Sequence, residues 1–344
     1  AAPHDLRHMA MEQLESVWPV HGSALVEKDV VHVVAGRSAF LDGGIHYVRL
    51  DGRTGRRLGG LVLDDKDPET GKDLQDRIKT LQMPVGLADI LSSDGKQVFL
   101  RSQKFSLEGE RLGIGPNSGV APEQAAVQKG TDAHVFAPFG YLDDTWFHRS
   151  YWVFGRSFAG GHNGFFQAAK FTPAGEILAH DEKTVYGYGR KPQYLKWTTP
   201  MERQLFAADK EAETVKGPAR PQNAQGPFQH PKFTWTGDVP FLVRAMALAG
   251  PVLFIAGPPD LIDEEAAFQG LAKKDEGTKK MLAEQDAALA GAKGAILRAV
   301  SAADGKTLAE LKLDALPGWD GLAAAGGRLY VATTDGRVIC LGAR

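Results

Sequence analysis

Four arginines end apolar, strand-like runs in this chain. They are Arg37 after VVHVVAG, Arg101 after KQVFL, Arg156 after RSYWVFG and Arg190 after KTVYGYG. Because the runs are alike, we expect the four guanidinium groups at equivalent strand ends. A guanidinium donates two parallel hydrogen bonds to a carboxylate, sulfate or phosphate, so such a face would bind an anionic small molecule or glycan. The alternative is structural, with each arginine paired to a loop acid such as Asp42, Asp143 or Asp260.

A second set of polar residues lies among aromatic ones in LDDTWFHRSYW, residues 142–152. In a strand, Asp144 and His148 would share one face, with Arg149 and Tyr151 on the other. A carboxylate beside an imidazole can act as an acid/base pair or supply two metal ligands. Asp144, His148 and Tyr151 are therefore the catalytic candidates, and Asp143 and Arg149 join the ligand-binding candidates. The alternative is a structural hydrogen bond between the histidine and the aspartate.

The acids of DKDPETGKDLQD, residues 65–76, are spaced somewhat like those of a calcium loop. Asp65, Asp67 and Asp76 would be the ligands. Gly71, however, lies one position later than the calcium-loop pattern places its glycine, and the last ligand is an aspartate where a glutamate is usual. We therefore predict no metal here.

Composition narrows the function classes. The chain has 344 residues, 43% of them hydrophobic and 24% charged, with a net charge of −2, which is ordinary for a globular protein. Such a balance gives no general attraction to nucleic acid. Cys340 is the only cysteine, so no disulfide can form within the chain. No run reaches the roughly 18 apolar residues of a membrane helix, so no transmembrane segment is predicted.

The elements that would position these residues repeat along the chain. A short strand, an Asp/Gly turn, a second strand, a loop and an outer strand pair recur about six times from Ser23 to Gly342. Repeats of four antiparallel strands predict an all-β fold, a β-propeller of four-stranded blades with seven or eight blades when complete. We expect residues 1–344 to form one body, or the C-terminal part of a larger propeller. The last unit lacks its outer strand, which would come from the segment before Trp18 or from protein outside this chain.

Residues 262–290 interrupt one unit between its second and third strands. Their pattern predicts an amphipathic helical hairpin broken near Gly277. Its apolar positions are Phe268, Leu271, Met281, Leu282 and Leu289. The hairpin either packs against its blade or docks a partner.

The turn motifs LDGRTGRRL (residues 50–58) and VSAADGKTL (residues 300–308) resemble the D-x-x-T-G-K-x-L-W signature of pyrroloquinoline-quinone-type (PQQ-type) propeller repeats. Most of the chain is similar to the C-terminal region of large PQQ-like propeller proteins common in planctomycete bacteria. The resemblance implies a propeller scaffold with further blades upstream. The family tryptophan would fall at Gly59 and Ala309, and a lone cysteine excludes the adjacent cysteine pair of quinoprotein dehydrogenases. We therefore predict no cofactor, with PQQ or calcium as the alternatives.

These observations favour a non-catalytic binding or scaffold module of an exported bacterial protein, located in the periplasm, the cell envelope or outside the cell. Its expected partners are another protein or upstream blades. The alternative is an enzyme, either a divergent quinoprotein oxidoreductase or a polysaccharide lyase or hydrolase acting on an anionic glycan. In that case the arginines would hold acidic groups while His148 and Tyr151 act as acid and base.

Overall fold

A computed structural model describes residues 5–10, 12–20, 24–73, 86, 90–101, 103–112, 133–136, 152–155, 173–191, 202–211, 213–215 and 228–342. The chain divides into two compact units, Ala1–Thr172 with Thr214–His230, and Pro173–Glu213 with Pro231–Arg344. Antiparallel strands are the main regular structure of the described residues in both units. The predicted all-β class and the four-stranded antiparallel blades are confirmed.

The first unit begins with a two-stranded hairpin and continues with the first three repeats. The hairpin strands are β1 (Arg7–Ala10) and β2 (Gln13–Ser16). Blade 1 contains β3 (Leu25–Glu27), β4 (Val30–Ala35), β5 (Ile45–Asp51) and β6 (Arg57–Leu63). Blade 2 contains β7 (Ser92–Ser93), β8 (Gln97–Leu100) and β9 (Gln103–Ser106). Blade 3 contains the antiparallel pair β10 (His134–Phe136) and β11 (Trp152–Gly155).

The second unit holds the last three repeats, preceded by the short strand β12 (Ala174–Gly175). Blade 4 contains β13 (Ile177–His180), β14 (Thr184–Arg190), β15 (Arg203–Asp209) and β18 (Phe233–Gly237). The insertion that precedes β18 holds the paired strands β16 (Glu213–Val215) and β17 (Phe228–His230), which belong to the first unit except for Glu213. Blade 5 contains β19 (Ala245–Ala249), β20 (Val252–Gly257), β21 (Ala295–Ser301) and β22 (Thr307–Leu313). Blade 6 has three strands, β23 (Pro317–Ala325), β24 (Arg328–Thr333) and β25 (Val338–Gly342).

Asp-Gly turns fix the register of the outer strands. Between β5 and β6, one Asp51 carboxylate oxygen accepts hydrogen bonds from the amides of Arg53 and Thr54, at 3.1 and 2.7 Å. Gly55 follows at φ +69°, a conformation that glycine adopts without steric cost. Since a one-residue slip would turn every side chain to the other face, this turn determines which residues enter the core.

Apolar side chains pack between successive blades. Blades 4, 5 and 6 have their first strands β13, β19 and β23 side by side in that order, which is how consecutive propeller blades pack. Leu205, Phe241 and Ile255 belong to the core between blades 4 and 5, and Leu297 and Val331 to the core between blades 5 and 6. In the first unit, the core between blades 1 and 2 is formed by buried apolar residues that include Ile45, Tyr47, Leu63, Leu100 and Phe105.

The predicted helical insertion is present between β20 and β21. It consists of α1 (Glu264–Ala272) and α2 (Glu276–Leu289). The break falls at residues 273–275 instead of Gly277, because Asp275 caps α2 by accepting a hydrogen bond from the Thr278 amide at 2.7 Å. Of the helices in the described part of the chain, none is long and apolar enough to cross a membrane.

The side of the hairpin that faces the blade differs from the prediction. Gln285 and Ala288 are the buried residues of α2, and α1 has none. Gln285 accepts a hydrogen bond from the Leu261 amide at 2.7 Å and donates one to the carbonyl of Pro259 at 3.2 Å. A polar residue therefore attaches α2 to its blade, a contact that apolar periodicity cannot reveal.

Candidate functional site

Three of the four predicted arginines occupy the same place in their blades. Arg37 lies two residues beyond β4, Arg101 directly follows β8, and Arg190 is the last residue of β14. Each of these strands is the second of its sheet. The remaining candidates of the region 137–172 lie outside the described residues: Asp143, Asp144, His148, Arg149, Tyr151 and Arg156.

Arg37 makes an ion pair within its own blade. Its Nη2 donates to Asp42 Oδ2 at 2.7 Å, and its Nη1 donates to Nε2 of His8 at 2.7 Å. The Asp42 carbonyl accepts a further hydrogen bond from the Trp18 indole at 3.0 Å. Arg37 therefore ties strand β1 to the loop between β4 and β5, and Trp18, which follows β2, is bonded to the same loop. This pairing matches the structural alternative for Arg37.

Arg101 lies inside the first unit, with only 1% of its surface exposed. Its φ is +55°, which is unusual for a residue with a side chain. Its carbonyl accepts a hydrogen bond from His134 Nε2 at 2.7 Å, and the His134 ring stacks on Phe99 at 3.8 Å. The Arg101 guanidinium is thus part of the packed interior and is closed to bulk solvent.

Arg190 lies opposite another arginine that the sequence did not single out. Arg203 begins β15 and is its register partner. Its Nε donates to Glu176 Oε1 at 2.9 Å, and its Nη1 donates to Glu264 Oε1 at 2.8 Å. Burial opposes the charge on Arg203, but the two glutamates more than offset this and raise its pKa. Since Glu264 begins α1, Arg203 fastens the helical hairpin to blade 4.

Burial disfavours the charged forms of two acids near Arg203, Asp260 and Glu264. Burial raises the pKa of Asp260, and a hydrogen bond from the Ile262 amide and the charge of Arg203 only partly oppose that shift. Burial and the neighbouring Asp260 also raise the pKa of Glu264. In addition, Asp260 Oδ1 and Glu202 Oε1 are buried without a hydrogen-bond partner among the described residues. The cluster therefore joins strands and helix, with more carboxylate than Arg203 can neutralise.

The calcium-like segment forms a turn of the same kind as the one after Asp51. Asp67 is buried, and one of its carboxylate oxygens accepts hydrogen bonds from the amides of Glu69 and Thr70 at 2.9 and 3.0 Å. Asp65 lies beside it in the loop, and Asp76 is outside the described residues. In the described ranges, no three His, Cys, Asp or Glu residues come together as a metal site.

A tryptophan contact between blades is a structural feature that sequence reasoning missed. The Trp235 indole in β18 donates to the carbonyl of Ala302 at 2.9 Å and packs on Gly305 in the turn between β21 and β22. Blade 4 therefore contacts the turn between β21 and β22 of blade 5 through this tryptophan. The tryptophan itself could have indicated this contact. Residues 210–232, however, separate β18 from β15 in the sequence, so the position of Trp235 in the repeat was not recognised.

The helical hairpin exposes large apolar side chains. Phe268 is 66% exposed and Met281 is 50% exposed, while Leu271 and Leu289 are also exposed. Phe268 and Leu271 lie three residues apart in α1, so they are neighbours on its surface. Gly270 in α1 meets the Thr278 side chain of α2 closely, which fixes the two helices together. The hairpin is thus a formed surface whose apolar residues face water.

No protein-family model and no curated protein matches the chain. Among solved structures, BamB from Moraxella catarrhalis is similar at 10% sequence identity with a TM-score of 0.38. The match covers 93% of this chain and 69% of that one.

Proposed function

We propose that this chain is a non-catalytic protein-binding scaffold of propeller blades, belonging to an exported bacterial protein of the cell envelope. The supporting observation is the inserted helical hairpin. The first helix buries no residue in the chain and yet exposes Phe268 and Leu271. Exposed apolar surface held in a defined shape is typical of a protein–protein interface.

The contacts of the hairpin support a binding role over a core role. Two of its attachments to the blades are polar, the Arg203–Glu264 ion pair and the Gln285 hydrogen bonds, and Ala288 is the one apolar residue that its helices bury. The large apolar side chains Phe268 and Leu271 are not used in the core and are available to a partner. Burying a phenylalanine or leucine side chain in an interface would contribute about 1.5–3 kcal/mol. The scaffold proposal includes no quinone or calcium, and a bound quinone would colour the purified protein.

A photocrosslinking residue at position 268 tests the proposal in native envelope extract. We expect a discrete crosslinked partner at physiological salt, lost when Leu271 and Met281 are changed to serine. Val62 on β6 is 43% exposed and serves as the control position, from which the same partner should not be captured. A chain that stays alone, or equal capture from both positions, contradicts the proposed function.

A further inference from the structure

Strand β1 is joined to blade 1 by a contact that requires a neutral histidine. Nη1 of Arg37 and Nε2 of His8 lie 2.7 Å apart. A guanidinium carries only donors and stays protonated in proteins, so Arg37 must donate and the imidazole nitrogen must accept. Nε2 of His8 therefore carries no proton, and the ring is neutral while this hydrogen bond is made.

The two faces of the hairpin formed by β1 and β2 differ. Met9 and Leu14 oppose each other across the two strands and are 69% and 60% exposed. His8 and Glu15 form the neighbouring pair and lie on the other face, because side chains alternate along a strand, and both are half-buried. Apolar side chains thus face water, while an imidazole makes the contact with blade 1. Strand β1 should therefore lose its attachment when that hydrogen bond is lost.

Charged groups from two elements lie near the His8 ring. Glu15 faces it from β2, and Arg37 faces it from the loop between β4 and β5. In the same loop, the Asp42 carboxylate accepts a hydrogen bond from Nη2 of Arg37 at 2.7 Å and holds the guanidinium in place. A second proton on His8 would occupy the lone pair to which Arg37 donates and would place two cations in contact. The charged ring would have Glu15 as a counter-charge on its own hairpin, but it could no longer accept from Arg37.

The residues after β2 are attached to blade 1 by hydrogen bonds between neutral groups. The Trp18 indole donates to the Asp42 carbonyl at 3.0 Å, and the Gly36 amide donates to the Pro19 carbonyl at 2.9 Å. A proton added to His8 leaves both bonds in place. Residues 18 and 19 would therefore form the hinge about which the two strands move.

We propose that His8 is a pH-sensitive switch, which holds the hairpin of β1 and β2 on blade 1 while its ring is neutral and releases it when the ring gains a second proton. Histidine is the residue type whose charge ordinarily changes between pH 5 and 8, so mildly acidic conditions trigger the release. Release leaves Nη1 of Arg37 without its acceptor, while Nη2 stays paired with Asp42. A donor of this predicted anion-binding arginine then becomes available. The switch is separate from the helical insertion and can be tested without it.

Hydrogen exchange of the full chain between pH 8 and pH 5, corrected for the intrinsic pH dependence of exchange, tests the switch. An isolated two-stranded hairpin is at best marginally stable, so release should expose its amides. We expect the protection of the β1 and β2 amides to fall about tenfold or more on acidification, because a hydrogen bond to a charged group is lost. Protection of β4 should stay unchanged. In His8→Gln, a side-chain carbonyl can accept from Arg37 without titrating, so β1 and β2 should stay protected at every pH.

Two further variants separate His8 from a second histidine at this attachment. The His46 ring lies edge to face with Trp18, 5.6 Å between centroids, and burial lowers the pKa of His46. His46→Gln should keep the pH-dependent release, whereas Arg37→Met should leave β1 and β2 weakly protected even at pH 8. Protection that does not change with pH in the native protein overturns the proposal, and so does a native pH dependence in His8→Gln. Native protection in Arg37→Met at pH 8 overturns it as well, because the hairpin is then held by other contacts.

Discussion

Asp260 follows the second strand of blade 5, in a place where its charge is poorly compensated. Arg203 already donates to Glu176 and Glu264, and one oxygen of Asp260 has no hydrogen-bond partner among the described residues. Sequence reasoning named Asp260 only as a loop acid that might pair with an arginine. The competition arises from Glu202, which directly precedes β15, and Glu264 in α1, and these two residues converge only in the folded chain.

This imbalance predicts a pH-dependent stability. Burial raises the folded-state pKa of Asp260, so the carboxyl favours the folded state while protonated and loses that contribution as pH rises through the folded pKa. Asp260→Asn should therefore unfold at a higher temperature than the native protein at pH 7. The difference should shrink as pH falls through the raised pKa of Asp260, because the carboxyl then becomes protonated. Thermal unfolding at several pH values measures it, and a less stable variant at pH 7 would contradict the argument.

Asp335 provides a control of opposite sign. Hydrogen bonds from Arg337 and Thr333 lower its pKa to about 2. A lowered folded-state pKa gives stability that is present above the unfolded value and is lost as pH falls. Asp335→Asn should therefore unfold at a lower temperature at pH 7, and the deficit should disappear in strong acid. Shifts of the same sign for both variants would show that charge burial is not the cause.

At the scale of elements, the sequence predicted strands that are joined by short turns, but it did not predict strand pairs that are distant in sequence. The strand runs and the Asp-Gly turns at Asp51 and Asp304 predicted blades 1 and 5 because each turn joins strands adjacent in sequence. The fourth strand of blade 4 was missed, since β18 pairs with β15 across an insertion. The same insertion hid Trp235 and its indole contact with blade 5.

The Trp235 contact predicts an asymmetry between two similar glycines. A Cβ on Gly305 would lie 2.7 Å from Trp235 Cε3, whereas a Cβ on Gly55 in the equivalent turn of blade 1 would meet nothing within 4 Å. Both residues have φ near +70°, +73° and +69°, so alanine at either costs about 1–2 kcal/mol in backbone strain. Gly305→Ala should cost a further 1–3 kcal/mol or so through overpacking. Denaturant unfolding of both variants measures the difference.

A double-mutant cycle isolates the tryptophan contact. In a Trp235→Ala background, Gly305→Ala should cost no more than Gly55→Ala, because the clash has been removed. Trp235→Phe keeps a ring but loses the hydrogen bond to Ala302, which should cost about 1 kcal/mol. If the penalty at Gly305 persists without the indole, the turn itself and not the contact between blades is responsible.

At the scale of the molecule, the sequence predicted about six repeats of four strands, and blades 1, 4 and 5 each have four described strands. The closure of a complete ring of seven or eight blades stays a prediction, as does the single body over residues 1–344. The arginine-edged face depends on that closure. The sequence repeats indicate which strands are neighbours within a blade. Whether Arg37, Arg101 and Arg190 converge depends on how the blades of both units are arranged, which the repeats do not indicate.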